Sequence, residues 1–152
     1  MELHPDLSAI LEDQFDFACR LHAVRSLAPL AASMADDGEI NGTALLADEE
    51  DLAASEVTAD DAIGIFTERF AQAARAGAIR ASAIFFHGYD SGEPPVLPAQ
   101  DEDEANCIVA LLDHRDGQAV YGVIGYARGA DGEWVYAAPR FGFKRPLIFP
   151  AS

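Results

Sequence analysis

The side chains that could do chemistry are few, and they gather near two histidines. His87 closes the run Ile79–His87 and is followed by Gly88, Tyr89 and Asp90. His114 stands between Asp113 and Arg115. A histidine held by an aspartate is a workable general base near neutral pH. His87 and Asp113 would form such a pair only if their strand ends converged, and no motif sets that register. The residues favour a structural reading: His87 bonded to backbone at a strand end, His114 exposed in a charged turn. His87, Asp90, Asp113 and His114 also lack the ligand spacing of a zinc motif, so neither a metal nor another cofactor is expected. His4 reads as a terminal residue and His22 as a helix-face residue.

Other constellations are weaker still. Cys107 lies in an apolar run, where a thiol is normally inert, and Cys19 is far from it in sequence, so two reduced thiols are expected rather than a disulfide. The stretch Asp37–Asp48 places oxygens at positions one, three, five and twelve with a glycine at six, as a calcium loop does. Glu39 at the third position, Ala44 at the eighth and the short Asp48 at the twelfth all depart from that pattern, and an acidic turn is the expectation. No nucleophile elbow, phosphate-binding glycine loop or dinucleotide fingerprint occurs.

The elements that must position these groups are clearer. Asn106–Ala127 reads as a hairpin, with two runs rich in β-branched and aromatic residues flanking Asp116-Gly117. Both faces of this hairpin are apolar, whereas a sheet with one wet face would alternate. Two helices precede it. The first runs from Pro5 or Asp6 into the twenties on a stripe of Leu7, Ile10, Leu11, Phe15, Ala18, Cys19 and His22. It ends by Pro29, with a short helical continuation over Leu30–Met34. The second runs from about Ala59 to Ala76, capped by Thr58 and stopped by Gly77, with Ile63, Phe66 and Phe70 inward. Between them lies an acidic connector, Ala35–Val57, with a short helix over Leu45–Ser55. Ile79–His87 is the first strand of the sheet. A long loop over residues 88–105 follows it, and a further strand covers residues 133–138. An edge segment is expected at Leu147–Phe149, bracketed by prolines.

The expected architecture is therefore a single α+β domain over residues 1–152, with N-terminal helices packed on a four- to five-stranded antiparallel meander sheet. Residues 1–78 are mainly helical with the acidic connector, and residues 79–150 form the antiparallel sheet. Two helices cover one face of that sheet. The other apolar face then calls for the long loop, a ligand pocket or a second copy of the chain, and of these a homodimer through the sheet is the expected cover.

Charge limits the partners. With 26 acidic and 10 basic residues, the chain carries a formal charge of −16. Such a field repels nucleic acid and anionic membranes and attracts a basic protein. The cationic, aromatic tail Arg140–Arg145 fits pairing with the chain's own acids better than nucleic-acid binding. No apolar run reaches the roughly 18 to 20 residues a membrane helix needs. The start of the chain lacks the pattern of a secretory leader, and the cytoplasm is the expected compartment.

Two functional expectations follow. The first is a non-catalytic, acidic protein-interaction or regulatory domain, of which an inhibitor imitating a phosphate backbone would be a special case. The second is a cone-like α+β domain enclosing a small-molecule pocket lined by Phe85, His87, Tyr121, Tyr126 and Trp134.

Overall fold

A computed structural model describes residues 3–23, 30–44, 59–89, 97–98, 107–132, 134–138, 140–146 and 148–149. The element order is α1 (Pro5–Ala23), β1 (Leu30–Ala35), β2 (Ile40–Ala44), α2 (Ala59–Arg75) and β3 (Ile79–Tyr89). Then follow β4 (Leu97–Pro98), β5 (Cys107–His114), β6 (Ala119–Arg128), β7 (Trp134–Tyr136) and β8 (Arg140–Phe143). All strand pairs are antiparallel, in the order β2-β1-β3-β5-β6-β7, with β4 on β3 and β8 on β6. The α+β class and the antiparallel sheet thus agree with the sequence reading.

The strand count and the helix packing do not. Leu30–Met34 continues no helix; it forms β1, which pairs with β2 on one side and β3 on the other. The Asp37–Asp48 stretch enters β2 at Ile40, so its described part is a hairpin turn and strand rather than a calcium loop. An edge segment lies at Arg140–Phe143; of the expected segment at Leu147–Phe149, the described residues Ile148 and Phe149 form no strand and are buried against α2 instead. The helix expected at Leu45–Ser55, the Thr58 cap and most of the loop after Tyr89 fall outside the described residues.

The central hairpin is as its pattern implied. Cys107 faces Gly125 and Asp113 faces Ala119 across an unbroken ladder, and Gly117 takes a φ of 105° at the tip. Both faces are apolar and both are covered, by different helices. Leu7, Ile10 and Leu11 of α1 pack on Ala83, Phe85, Ile108, Ala110, Leu112, Val120 and Ile124. Phe66 and Phe70 of α2 pack on Ala31, Ile79 and Ile84, with Ile148 and Phe149 joining that layer. Further along the same face, Phe86, Cys107, Val109 and Val123 cluster with Ile63 and Tyr121. Helices sandwich the sheet instead of sharing one face.

This overturns the ground for a sheet-mediated dimer. Ile108, Leu112 and Ile124 are at most 1% exposed within one subunit. Tyr126, partly buried, packs on the same cluster.

Two irregularities position side chains. Between Met34 and Ala35 the β1–β3 register shifts, so Met34 faces Ala81 while Ala35 faces Ile79. Arg80 is the extra residue of this bulge, and its side chain is re-aimed toward α1. At the far edge, β7 and β8 are two pieces laid along one side of β6. The first pairs with Tyr126–Arg128 and the second with Val120–Val123. Between the pieces the Ala137 N–H donates to the Gly125 carbonyl at 2.8 Å.

Candidate functional site

Polar side chains converge at one end of the sheet, where α1 begins, the β1–β2 turn closes and the β5–β6 hairpin has its tip. His4 precedes α1, and Pro5 opens the helix with the fixed φ that suits its first position. The His4 carbonyl accepts the Ser8 N–H at 3.0 Å, and His4 Nδ1 accepts the Asp6 N–H at 3.0 Å. The His4 N–H in turn donates to Gln118 Oε1 at 2.7 Å, tying the start of the chain to the hairpin tip.

The tip repeats the same device. His114 Nδ1 accepts the Asp116 N–H at 3.0 Å. His4-Pro5-Asp6 and His114-Arg115-Asp116 are thus two His-x-Asp turns, each closed through Nδ1. They meet crosswise: the imidazoles stack at 3.6 Å between centroids and 24° between planes. His114 Nε2 lies 2.8 Å from Asp6 Oδ2, and His4 Nε2 lies 3.6 Å from Asp116 Oδ2. Each ring therefore sits over the other with its ends reversed, one end of the stack facing Asp6 and the other Asp116. The bonds at Nδ1 fix the neutral tautomer: the hydrogen is on Nε2, and His114 Nε2–H donates to Asp6.

Arg80 completes the group. Its Nε lies 3.2 Å from Asp6 Oδ2, its Nη2 donates to Asp6 Oδ1 at 3.3 Å, and its Nη1 reaches the Asp36 carbonyl at 3.3 Å. Arg115 Nη1 donates to Asp36 Oδ1 at 2.7 Å, which joins the β1–β2 turn to the hairpin tip. Burial pushes the Asp6 carboxyl up, but the bond from His114 and the charge of Arg80, with the two histidines beside it, outweigh it and hold Asp6 below the usual carboxylate range. Asp116 is likewise opposed by burial, yet the Gln118 N–H and the two histidines keep it below that range.

A second, drier pair lies on the α2 side of the sheet. Asp113 is 2% exposed and accepts a hydrogen bond from Lys144 Nζ, just beyond β8. Burial drives the Lys144 ammonium below the ordinary lysine value, against the pull of Asp113. Ser82 faces Asp113 across β3–β5, and its Oγ is buried with no hydrogen-bond partner among the described residues.

The residues singled out by sequence fare unevenly. His87 pairs with Ile108 while Asp113 pairs with Ser82, so they stand five residues apart along β5 (108 to 113), roughly 17 Å at about 3.4 Å per residue. They also point to opposite faces, so no general-base pair forms. His114 is not an exposed turn residue: it is 7% exposed. Asp90 lies outside the described residues. Of the five pocket candidates, Phe85, His87 and Tyr126 share the α1 face, with His87 and Tyr126 in edge contact at 6.3 Å. Burial, with Cys107 and Tyr136 nearby, pushes the Tyr126 hydroxyl up to about 12. Tyr121 lies on the opposite face with Phe86 and Val109, and the Trp134 side chain lies outside the described residues. Sequence reasoning missed His4, Asp6, Arg80 and Asp116. The repeated His-x-Asp spacing was the available signal.

Among the described residues His4, Asp6 and His114 form the one group that brings three potential metal-ligand atoms within 4.8 Å of one another. No described helix is long and apolar enough to cross a membrane. Compared with known protein families, with curated proteins and with solved structures, the chain matches none.

Proposed function

We propose that the protein is a non-catalytic interaction domain that recognises a basic protein surface through the polar end of its sheet. The observation that carries this reading is how charge is distributed there. Arg80, Arg115 and Lys144 are engaged with Asp6, Asp36 and Asp113. The exposed Asp37, Glu39 and Asp116 then set the sign of that end, on a chain whose net charge is −16. A field of this sign speeds encounter with cationic partners and disfavours phosphate backbones. The reading needs no homodimer, because the apolar faces that motivated one are covered by α1 and α2. The cytoplasm is the compartment it uses, and the buried Cys107 thiol is compatible with reducing conditions.

The test compares two charge reversals of equal size. Binding of an arginine-rich peptide is measured at about 0.15 M salt, where exposed charges beyond ~8 Å are screened. Asp37→Lys with Glu39→Lys should weaken it at least severalfold more than Glu68→Lys with Asp131→Lys, two exposed acids placed on other elements. Equal losses would mean that net charge alone attracts the peptide, and the proposal would fall.

A further inference from the structure

An open sheet has two borders whose backbone groups lack partners, and natural chains guard such borders with cations, prolines or bulges. This sheet guards one of them. On the far side the border is divided into β7 and β8, with Pro139 between them in sequence and Arg140, Lys144 and Arg145 in or just after β8. The other border is β2, Ile-Asn-Gly-Thr-Ala, which holds no charge and no proline and keeps an unbroken register with β1. Among the described residues no strand pairs with its outer side. Asn41 and Gly42 are exposed, and at a glycine the exposed atoms are those of the backbone itself. We propose, on the footing of the acidic interaction surface, that the basic partner docks as an extended segment that adds a strand to the outer edge of β2.

Register decides which backbone groups are on offer. In an antiparallel pair, residues that exchange hydrogen bonds alternate with residues that turn both groups away. At the β1–β2 turn the Ala35 N–H donates to the Glu39 carbonyl at 2.8 Å. Steps of two residues from that pair place the bonded pairs at Ser33–Asn41 and Ala31–Thr43. Ile40, Gly42 and Ala44 therefore turn their N–H and C=O groups outward, three donors and three acceptors in a row. An added strand takes its affinity from such a row and its specificity from alternate side chains.

The side chains around the row select a cation. Gly42 lies on the α1 face, opposite Ala32 of the core. Its missing side chain leaves a gap that Gln14 of α1 overhangs: a Cβ on Gly42 would stand 3.1 Å from Gln14 Oε1. Gln14 Nε2 donates to Asp13 Oδ2 at 2.7 Å, which sets a carboxylate beside the amide. The incoming residue opposite Gly42 turns its side chain to this same face. A lysine or arginine there comes within reach of the Gln14 oxygen and the Asp13 carboxylate. At the start of β2 the exposed Asp37 and Glu39 add two more acids along the path of the new strand. A second copy of this chain would bring its own charge of −16 to the same border and is disfavoured there.

The experiment uses the isotope-labelled full chain and a short peptide alternating lysine and threonine, with deuterium exchange of single amides followed by NMR. In the free protein Ile40 and Gly42 should exchange fast, and Asn41 and Thr43 slowly. Saturating peptide should slow Ile40, Gly42 and Ala44 by about tenfold or more and leave Asn41 and Thr43 nearly unchanged. Two further peptides of the same charge test the face. N-methylation of the lysine residues, which meet β2, should weaken binding by about tenfold or more. N-methylation of the threonine residues, which turn their backbone groups away, should change it by less than about twofold. Equal affinity of the two methylated peptides, without protection of Gly42, would overturn strand addition and leave the acidic surface standing. A larger loss from threonine methylation would overturn the placing of cations beside Asp13. Protection of Gly42 without peptide, rising with protein concentration, would put a second copy on β2 and overturn the basic occupant. No binding of the unmodified peptide would overturn the docking mode and the acidic surface together.

Discussion

Asp6 is the residue on which the polar end turns, since it accepts from His114 and Arg80 and lies in the first turn of α1. Its carboxyl is held below the usual range, so it stabilises the fold as an anion. That contribution is complete above about pH 4, the unfolded value, and is lost as pH falls through the lower folded-state value. Asp6→Asn should therefore lower stability at pH 7 by about 1–2 kcal/mol. In Tm measured against pH, the gap between the two chains should narrow as pH falls below the unfolded value of about 4; a gap that stays constant would detach the effect from ionisation. Lys144 and Asp113 behave differently because burial outweighs their attraction at the lysine. Lys144→Met removes the cation that a buried Asp113 holds, and should cost about 3–5 kcal/mol. The double change Asp113→Leu with Lys144→Met should cost less than Lys144→Met alone, as read by urea unfolding, because two charges no longer have to be desolvated together. At this scale the sequence was least legible. His4 looks like a terminal residue until Gln118 and Asp6 are seen to hold it, and nothing in the alternation of Ile79–His87 marks the bulge that turns Arg80 toward Asp6.

Elements were legible where their own residues dictate them. The Cys107–Arg128 hairpin follows from β-branched runs around an Asp-Gly turn, and α2 follows from Ile63, Phe66 and Phe70 at helical spacing with Glu68, Arg69, Gln72 and Arg75 exposed. The strand β1, LAASMA, was misread because alanine favours helix and carries little β preference. Its state is set by neighbours instead: it lies between β2 and β3, and small side chains at Ala31 and Ala32 let α2 and α1 approach its two faces. Periodicity says which stripe of a helix is apolar, but not which layer it joins, and the sandwich was therefore hidden. That layering has a measurable signature. Leu7→Ala in α1 and Phe66→Ala in α2 should each cost about 2–5 kcal/mol by cavity formation. Because the sheet separates them, the double change should equal the sum within about 0.5 kcal/mol. A larger coupling would mean that the two helices share a contact, contrary to this packing.

For the whole molecule, the surplus of acids should govern the response to salt. A net charge of −16 strains the compact state by self-repulsion, and the ion pairs Arg80–Asp6 and Arg115–Asp36 are partly or largely exposed and worth little each. Raising sodium chloride from low ionic strength should thus raise Tm; a fall would show that the pairs outweigh the repulsion. Light scattering at micromolar concentration should give the mass of one chain, since the apolar clusters described on both sheet faces are buried within it, and a dimer mass would revive the sheet-to-sheet arrangement. Composition foretold the charge effect, but the covering of both faces depends on where the chain crosses the sheet, which no local pattern records. The divided strand along β6 has a consequence of its own. An unbroken border there would offer a continuous row of donors and acceptors to a neighbouring molecule, with Phe143 at 77% exposure to help it adhere. Splitting that border into β7 and β8 shortens each stretch to three or four residues, too little for a neighbouring strand to pair along its full length.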